Sequence, residues 1–337
     1  MFILSFCPKS SLSKNVMTKK LKVAVLYGGK SGEHDVSLMS AGSVMENLDD
    51  DRYEITPVFI TREGKWDVSL EKLREFDVAF PVLHGPNGED GTVQGLLEVL
   101  GVPFVGAGVV GSAVGMDKVI FKDVMLAHHL PVAKHLVVRR GDWPMNRGEI
   151  EIEVITELQL PVFVKPANMG SSVGITKAGT MAQLAEAIEE AFKWDRKILV
   201  EAAVPNAREL EVSVIGNDVL TASVVGEIVP KREFYDYQAK YLDKGDEASG
   251  LLIPAPIPDA LSQLIREVAV EVAQVADVRG MARVDFLLDR SNGEVYVNEI
   301  NTIPGFTEIS MYPKLWLASG MTYPELLDKL IDLALEK

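Results

Sequence analysis

The chain has 337 residues, 47% hydrophobic and 25% charged, with a formal net charge of -15. That length allows two or three domains with ample core, and the acidic balance argues against a nucleic-acid surface, which normally carries a basic footprint, while leaving room for a local cationic pocket. No apolar run approaches the roughly 20 residues that span a bilayer, and the single cysteine, Cys7, excludes an internal disulfide and fits a reducing compartment such as the cytoplasm.

Residues 1–20 are apolar and then basic, cut by Pro8-Lys9, and read as a disordered leader. Residues 21–27 form a compact apolar run, predicting a buried strand. A loop follows, Gly28-Gly29-Lys30-Ser31-Gly32-Glu33-His34-Asp35, and then helical periodicity over 36–48. Strands are predicted at 53–60 and 78–83, a loop at 84–91 and a helix at 92–100. Alternating strands and helices predict a parallel α/β sheet, with binding residues at the carboxyl ends of its strands, where Glu33 and His84 fall. The Gly-rich stretch 106–115 reads as a domain boundary, and 116–130 as one helix. Further on, a helix passes into a strand at 162–165, followed by a short strand at 174–177, a helix at 181–194 and a strand at 197–201. Strands at 210–215 and 220–229 precede a polar, aperiodic segment, 234–252, of a length that is more often functional than idle. Helices are predicted at 258–277 and 323–337. The predicted parts are therefore 21–113, 114–204 and 205–337.

Two apolar runs, 283–288 and 294–300, flank Asp289-Arg290-Ser291-Asn292-Gly293, which reads as a hairpin turn because Asn-Gly supplies positive φ. Such a hairpin brings Asp285 near Glu299, and Glu299 and Asn301, two apart, share one face of an extended chain. Oxygen donors on one face suit a hard cation such as Mg2+ that also holds phosphates; a solvated acidic face fits the spacing equally. The Gly28 loop lacks both Gly-x-Gly-x-x-Gly and P-loop spacing, so it is not a dinucleotide or Walker site. Glu33 at its mouth would repel phosphate and attract an ammonium group. Lys165, ending a strand before Gly170-Ser171-Ser172-Val173-Gly174, suggests a charge and a lid over phosphates, although a solvated lysine beside an ordinary turn has the same pattern.

Together these segments resemble the ATP-grasp enzymes, and within them the D-alanine:D-alanine ligases. The resemblance runs from about Leu21 to the C-terminus. It rests on the Gly28 loop with Glu33, on His84 to Gly95, on Met116-Asp117-Lys118, and on Lys165-Pro166 with Gly170 to Gly174. Phe234-Tyr235-Asp236-Tyr237-Gln238-Ala239-Lys240-Tyr241 and the hairpin through Gly305 complete it.

It implies a Rossmann-like parallel sheet followed by a two-part ATP-grasp fold, α/β overall and α+β in the C-terminal half. It also implies ligation of two D-alanines through an acyl phosphate for peptidoglycan synthesis, in a cytoplasmic homodimer with no nucleic-acid or membrane partner. Lys118 and Lys165 would contact ATP phosphates under a loop carrying Ser171 and Ser172. Glu201, Val204 and Phe234 would serve the adenine end, and Glu209 the ribose. Asp285, Glu299 and Asn301 would hold two Mg2+ (or Mn2+) ions. Glu33 would take the first ammonium, with His84 nearby and Ser171 and Tyr241 linked to Glu33. Arg283 and the Gly305 N–H would stabilise the oxyanion, and Lys240, Ser310 and Met311 would serve substrate binding. Relatives that use D-lactate or D-serine alter the loop that here carries Tyr237, Lys240 and Tyr241, which favours D-alanine as the second substrate.

Overall fold

The computed structural model describes residues 19–230, 250–307 and 309–336. Phe234, Tyr237, Lys240 and Tyr241 lie outside the described residues.

The first layer is a parallel sheet in the order β2-β1-β3, built from β1 (Leu21–Gly28), β2 (Tyr53–Ile60) and β3 (Val78–Pro81). Strands β1 and β3 are largely apolar on both faces because helices cover them, while edge strand β2 leaves Glu54 and Pro57 exposed; Val23, Val25 and Phe80 pack with Leu326 and Leu330 of a later helix. Helix α1 (His34–Asn47) leaves the carboxyl end of β1. After the four-residue α2 (Leu70–Leu73), α3 (Thr92–Leu100) follows the loop that begins at His84.

The glycine-rich 106–115 stretch, expected as an open boundary, holds a helix, α4 (Val109–Met116). Gly111 and Gly115 serve packing there: a Cβ on Gly111 would stand 2.5 Å from the Asp277 carbonyl oxygen, and one on Gly115 3.1 Å from Thr302. The single helix expected over 116–130 is also interrupted. Asp117 is extended and its carboxylate accepts the N–H groups of Val119 and Ile120, restarting the chain as α5 (Lys118–Ala127).

Two antiparallel sheets complete the fold. The first runs β4-β7-β5-β6, from β4 (His135–Arg139), β5 (Val162–Pro166), β6 (Thr176–Ala178) and β7 (Lys197–Ala202). It is backed by α6 (Trp143–Glu153), a π-helical turn at Val154–Leu158, and α7 (Met181–Ala191). The second sheet runs β10-β9-β8-β11-β12. Its strands are β8 (Ala207–Gly216), β9 (Thr221–Val229), β10 (Gly250–Leu252), β11 (Gly280–Asp289) and β12 (Val295–Asn301). Helix α8 (Asp259–Val275) buries Ile265, Ala269 and Val272 against it. Helices α9 (Met311–Ala318) and α10 (Tyr323–Leu335) return to the parallel sheet through Tyr312, Trp316 and Leu327. A parallel α/β layer joined to two antiparallel sheets is the mixed architecture the sequence implied.

Candidate active site

The turn after β1 places Glu33. Gly28 and Gly29 have φ of 93° and 92°, and a Cβ on Gly28 would meet the Ile60 carbonyl oxygen at 2.2 Å, so glycine is required there. The Ser31 hydroxyl donates to the His84 carbonyl at 2.6 Å and accepts the Glu33 N–H at 3.1 Å, tying this loop to the one after β3. Glu33 occupies the N-cap position of α1, yet its side chain makes no cap bond. It turns instead toward Ser171, whose hydroxyl donates to it. Gly85 and Gly170 let two backbones close on the carboxylate: a Cβ on either would come within 2.6 or 2.7 Å of Glu33 Oε2. Ser171 and Ser172 hold left-handed φ values of 47° and 61°, strain of the kind that functional loops carry.

His84 is buried, and both its ring nitrogens are engaged within the protein. Nδ1 lies 3.1 Å from the Ile303 carbonyl, which accepts from it, and Nε2 lies 3.1 Å from the Ser40 hydroxyl. Burial holds its pKa below the usual histidine value against the pull of Glu33, so the ring is neutral. The ring therefore braces the wall of the site while its nitrogens serve Ser40 and Ile303.

The hairpin forms as the Asn-Gly signal indicated. β11 pairs antiparallel with β12, with Arg283 opposite Asn301 and Asp285 opposite Glu299. All four side chains thus share one face. Arg283 makes a two-pronged bond to Asp285, at 2.7 and 2.6 Å, and reaches Glu211 at 3.0 Å. The Asn301 amide donates to Asp285 at 3.1 Å. Lys118 stands 3.6 Å from Glu299 and donates to the Met169 carbonyl at 2.8 Å. Among the described residues no three His, Cys, Asp or Glu side chains gather as a metal cluster. The expected ligand set is two carboxylates and an amide, all hard oxygen donors, and that chemistry fits Mg2+.

These groups line two clefts that meet. Glu33, His84, Arg283, Gly305, Ser310 and Met311 line the first. Lys165, Glu201, Val204, Glu209 and Asp285 line the second. Ser172, Glu211 and Glu299 line both, so the two adjoin. At the far end of the first cleft, Gly305 approaches Ser310 so closely that a Cβ would lie 2.7 Å from its hydroxyl. Ser310 accepts the Thr307 N–H at 3.0 Å and precedes the first turn of α9, where Met311 begins the helix. In the second cleft Lys165 donates to Glu201, and Glu201 is buried between that lysine and Lys122.

Three residues in or beneath the site were given no role from the sequence. Glu89 lines the first cleft and accepts the Gly85 N–H at 2.7 Å. Burial, aided by the Glu33 charge, pushes its pKa up to about 8. Glu211 touches Arg283. Lys122 lies under the second cleft, four residues after Lys118 and so on the same helix face, which was the available signal.

The carboxyl-end loops of a parallel sheet facing two antiparallel sheets, with lysines, an arginine and a carboxylate–amide hairpin between them, define an ATP-grasp type of ligase. Two family patterns match the chain, "D-ala D-ala ligase N-terminus" over residues 22–75 and 67–107 and "D-ala D-ala ligase C-terminus" over 124–332. The chain belongs to the D-alanine–D-alanine ligase family. The D-alanine–D-alanine ligase of Thermoanaerobacter sp. (strain X514) is 49% identical to it, covering 94% of this chain and 97% of that one. D-alanine–D-alanine ligase B of Clostridium tetani is 46% identical, covering 96% of each. Among solved structures, the D-alanine-D-alanine ligase of Coxiella burnetii superposes with a TM-score of 0.81 at 34% identity, covering 94% of both chains. The VanG D-Ala:D-Ser ligase of Enterococcus faecalis gives 0.82 at 36%, covering 94% of this chain and all of that one.

Proposed function

We propose that the chain uses ATP to join two D-alanine molecules into D-alanyl-D-alanine, a peptidoglycan precursor. The observation that carries this reading is that the two clefts adjoin across the hairpin: Glu33, a carboxylate suited to an ammonium group, lies in one beside Lys118, and Lys165 lies in the other. A carboxylate is a poor electrophile at neutral pH. Its phosphorylation gives an acyl phosphate that a second amine attacks, chemistry that needs positioning and charge neutralisation more than a protein nucleophile.

Glu33, oriented by Ser171, holds the ammonium of the first D-alanine. Arg283, with the Gly305 N–H, stabilises negative charge on the acyl group as it becomes tetrahedral. Ser310 and the Met311 N–H at the start of α9 receive the carboxylate of the second D-alanine. Lys118 and Lys165 bind phosphate oxygens beneath Ser171 and Ser172. Glu201 and Val204 border adenine, and Glu209 takes the ribose. Asp285, Glu299 and Asn301 would hold the Mg2+ or Mn2+ ions, which when bound neutralise phosphate charge. Lys240, Tyr241 and Phe234 complete this reading, as does division into parts at 113/114 and 204/205. A cytoplasmic homodimer without nucleic-acid or membrane partners also belongs to it; among the described residues no helix is long and apolar enough to cross a membrane.

The likeness to VanG makes D-serine the alternative second substrate. Phosphate release from ATP, measured with and without D-alanine, tests the activity: release should require D-alanine and Mg2+ together. Release that ignores D-alanine would contradict the reading.

A further inference from the structure

Glu201 lies in an unusual place for a carboxylate. It is 2% exposed on β7 and is held by two lysines: Lys165 from the neighbouring β5 on one oxygen, and Lys122 from α5 on the other at 2.5 Å. The lysines differ. Lys165 lines the second cleft beside Glu201. Lys122 is 1% exposed, pairs with Glu201, and sits behind the carboxylate under the cleft floor. Burial pulls the Lys122 pKa below the usual lysine value, and the charge of Glu201 at 2.5 Å opposes that pull. Burial alone would raise the Glu201 pKa, but the lysines outweigh it and hold it down at about 2, so the carboxylate stays charged.

We infer that Lys122 is a positioning residue: it is the fixed counter-ion of Glu201 that lets Lys165 leave Glu201 and turn to the phosphates of a nucleotide. The inference rests on reading the second cleft as the nucleotide site. Removing Lys165 from a buried carboxylate with no second cation would strand a charge, which costs several kcal/mol in typical proteins. With Lys122 in place, Glu201 keeps one charge-assisted partner throughout, and Lys165 exchanges one anion for another. Without Lys122, Lys165 becomes the sole neutralising group and stays clamped to Glu201.

The test measures equilibrium binding of ATP and of adenosine to the full-length protein and to its K122M, K122R, E201Q and K122M/E201Q variants. K122M should weaken ATP by about tenfold or more, the equivalent of roughly 1.4 kcal/mol, while leaving adenosine, which has no phosphate, nearly unchanged. K122R should retain ATP affinity. The K122M effect should largely vanish in the E201Q background, because no buried carboxylate is left to hold Lys165. Equal loss of ATP and adenosine in K122M, or the same K122M effect with and without Glu201, would overturn the role. If K122M does not fold, K122M/E201Q against E201Q alone still decides: a tenfold ATP loss there contradicts the inference. A native protein that binds neither ATP nor adenosine would instead sink the nucleotide reading itself.

Discussion

At the residue scale, the proposed roles separate groups that bind from groups that act only as charge develops. Arg283 is locked to Asp285 and Glu211 by three contacts of 3.0 Å or less, so it is held in place before substrate arrives. We expect Arg283→Ala to leave ATP binding nearly intact and to lower kcat about 10²–10³-fold, the usual cost of losing an oxyanion donor; equal losses in ATP affinity and turnover would remove it from that role. Glu33→Gln should raise the KM for D-alanine about tenfold and spare the KM for ATP, because a neutral amide loses the charge-assisted bond to ammonium; steady-state kinetics in each substrate separates the two. Glu89 gives a pH signature. Its folded pKa is about 8 against an ordinary 4.5, so between these values the folded chain holds a proton that the unfolded chain has lost. Stability contributed by this group is therefore present at low pH and falls as pH rises through that window. Thermal denaturation across it should show a shallower decline for Glu89→Gln than for the native chain; parallel slopes would contradict the shift.

At the element scale, short turns do the positioning. The Gly28-Gly29 turn aims α1 so that Glu33 faces Ser171, and a Cβ at Gly28 would collide with the Ile60 carbonyl 2.2 Å away. Gly28→Ala should destabilise the protein by about 2 kcal/mol or more, from strain at positive φ plus the clash; an unchanged urea midpoint would show that the turn relaxes freely. The strands of the parallel sheet, the helix over 258–277 and the hairpin were legible because their signals are local: continuous apolar runs, a 3.6-residue period, and Asn292-Gly293 between apolar arms. Strand β4 and helices α4, α6 and α9 were not. Helix α4 is written in glycine and valine because its glycines admit Asp277 and Thr302 at close range, so tertiary packing overrides a sequence that reads as a loop. The break at Asp117 is a side-chain cap within an otherwise continuous helical period.

On the scale of the whole molecule, the first and last elements of the described residues share a core. The parallel sheet that begins at Leu21 shares its core with Leu326, Leu327 and Leu330 of the last helix, and His84 bonds to the Ile303 carbonyl across that junction. Glu33 and Gly305, remote in sequence, line one cleft for this reason. The motif order signalled these meetings, since the types of residue present named the chemistry. Lys122 beneath the site and Glu89 and Glu211 in its walls were hidden, because such residues look like surface until the fold closes around them. The most direct test of the account is product analysis by mass spectrometry after incubation of the purified protein with ATP, Mg2+ and an equal mixture of D-alanine, D-serine and D-lactate. ADP, phosphate and D-alanyl-D-alanine are the expected main products. A mixed product carrying D-serine or D-lactate in place of the second D-alanine, or no ligated product at all, would contradict it.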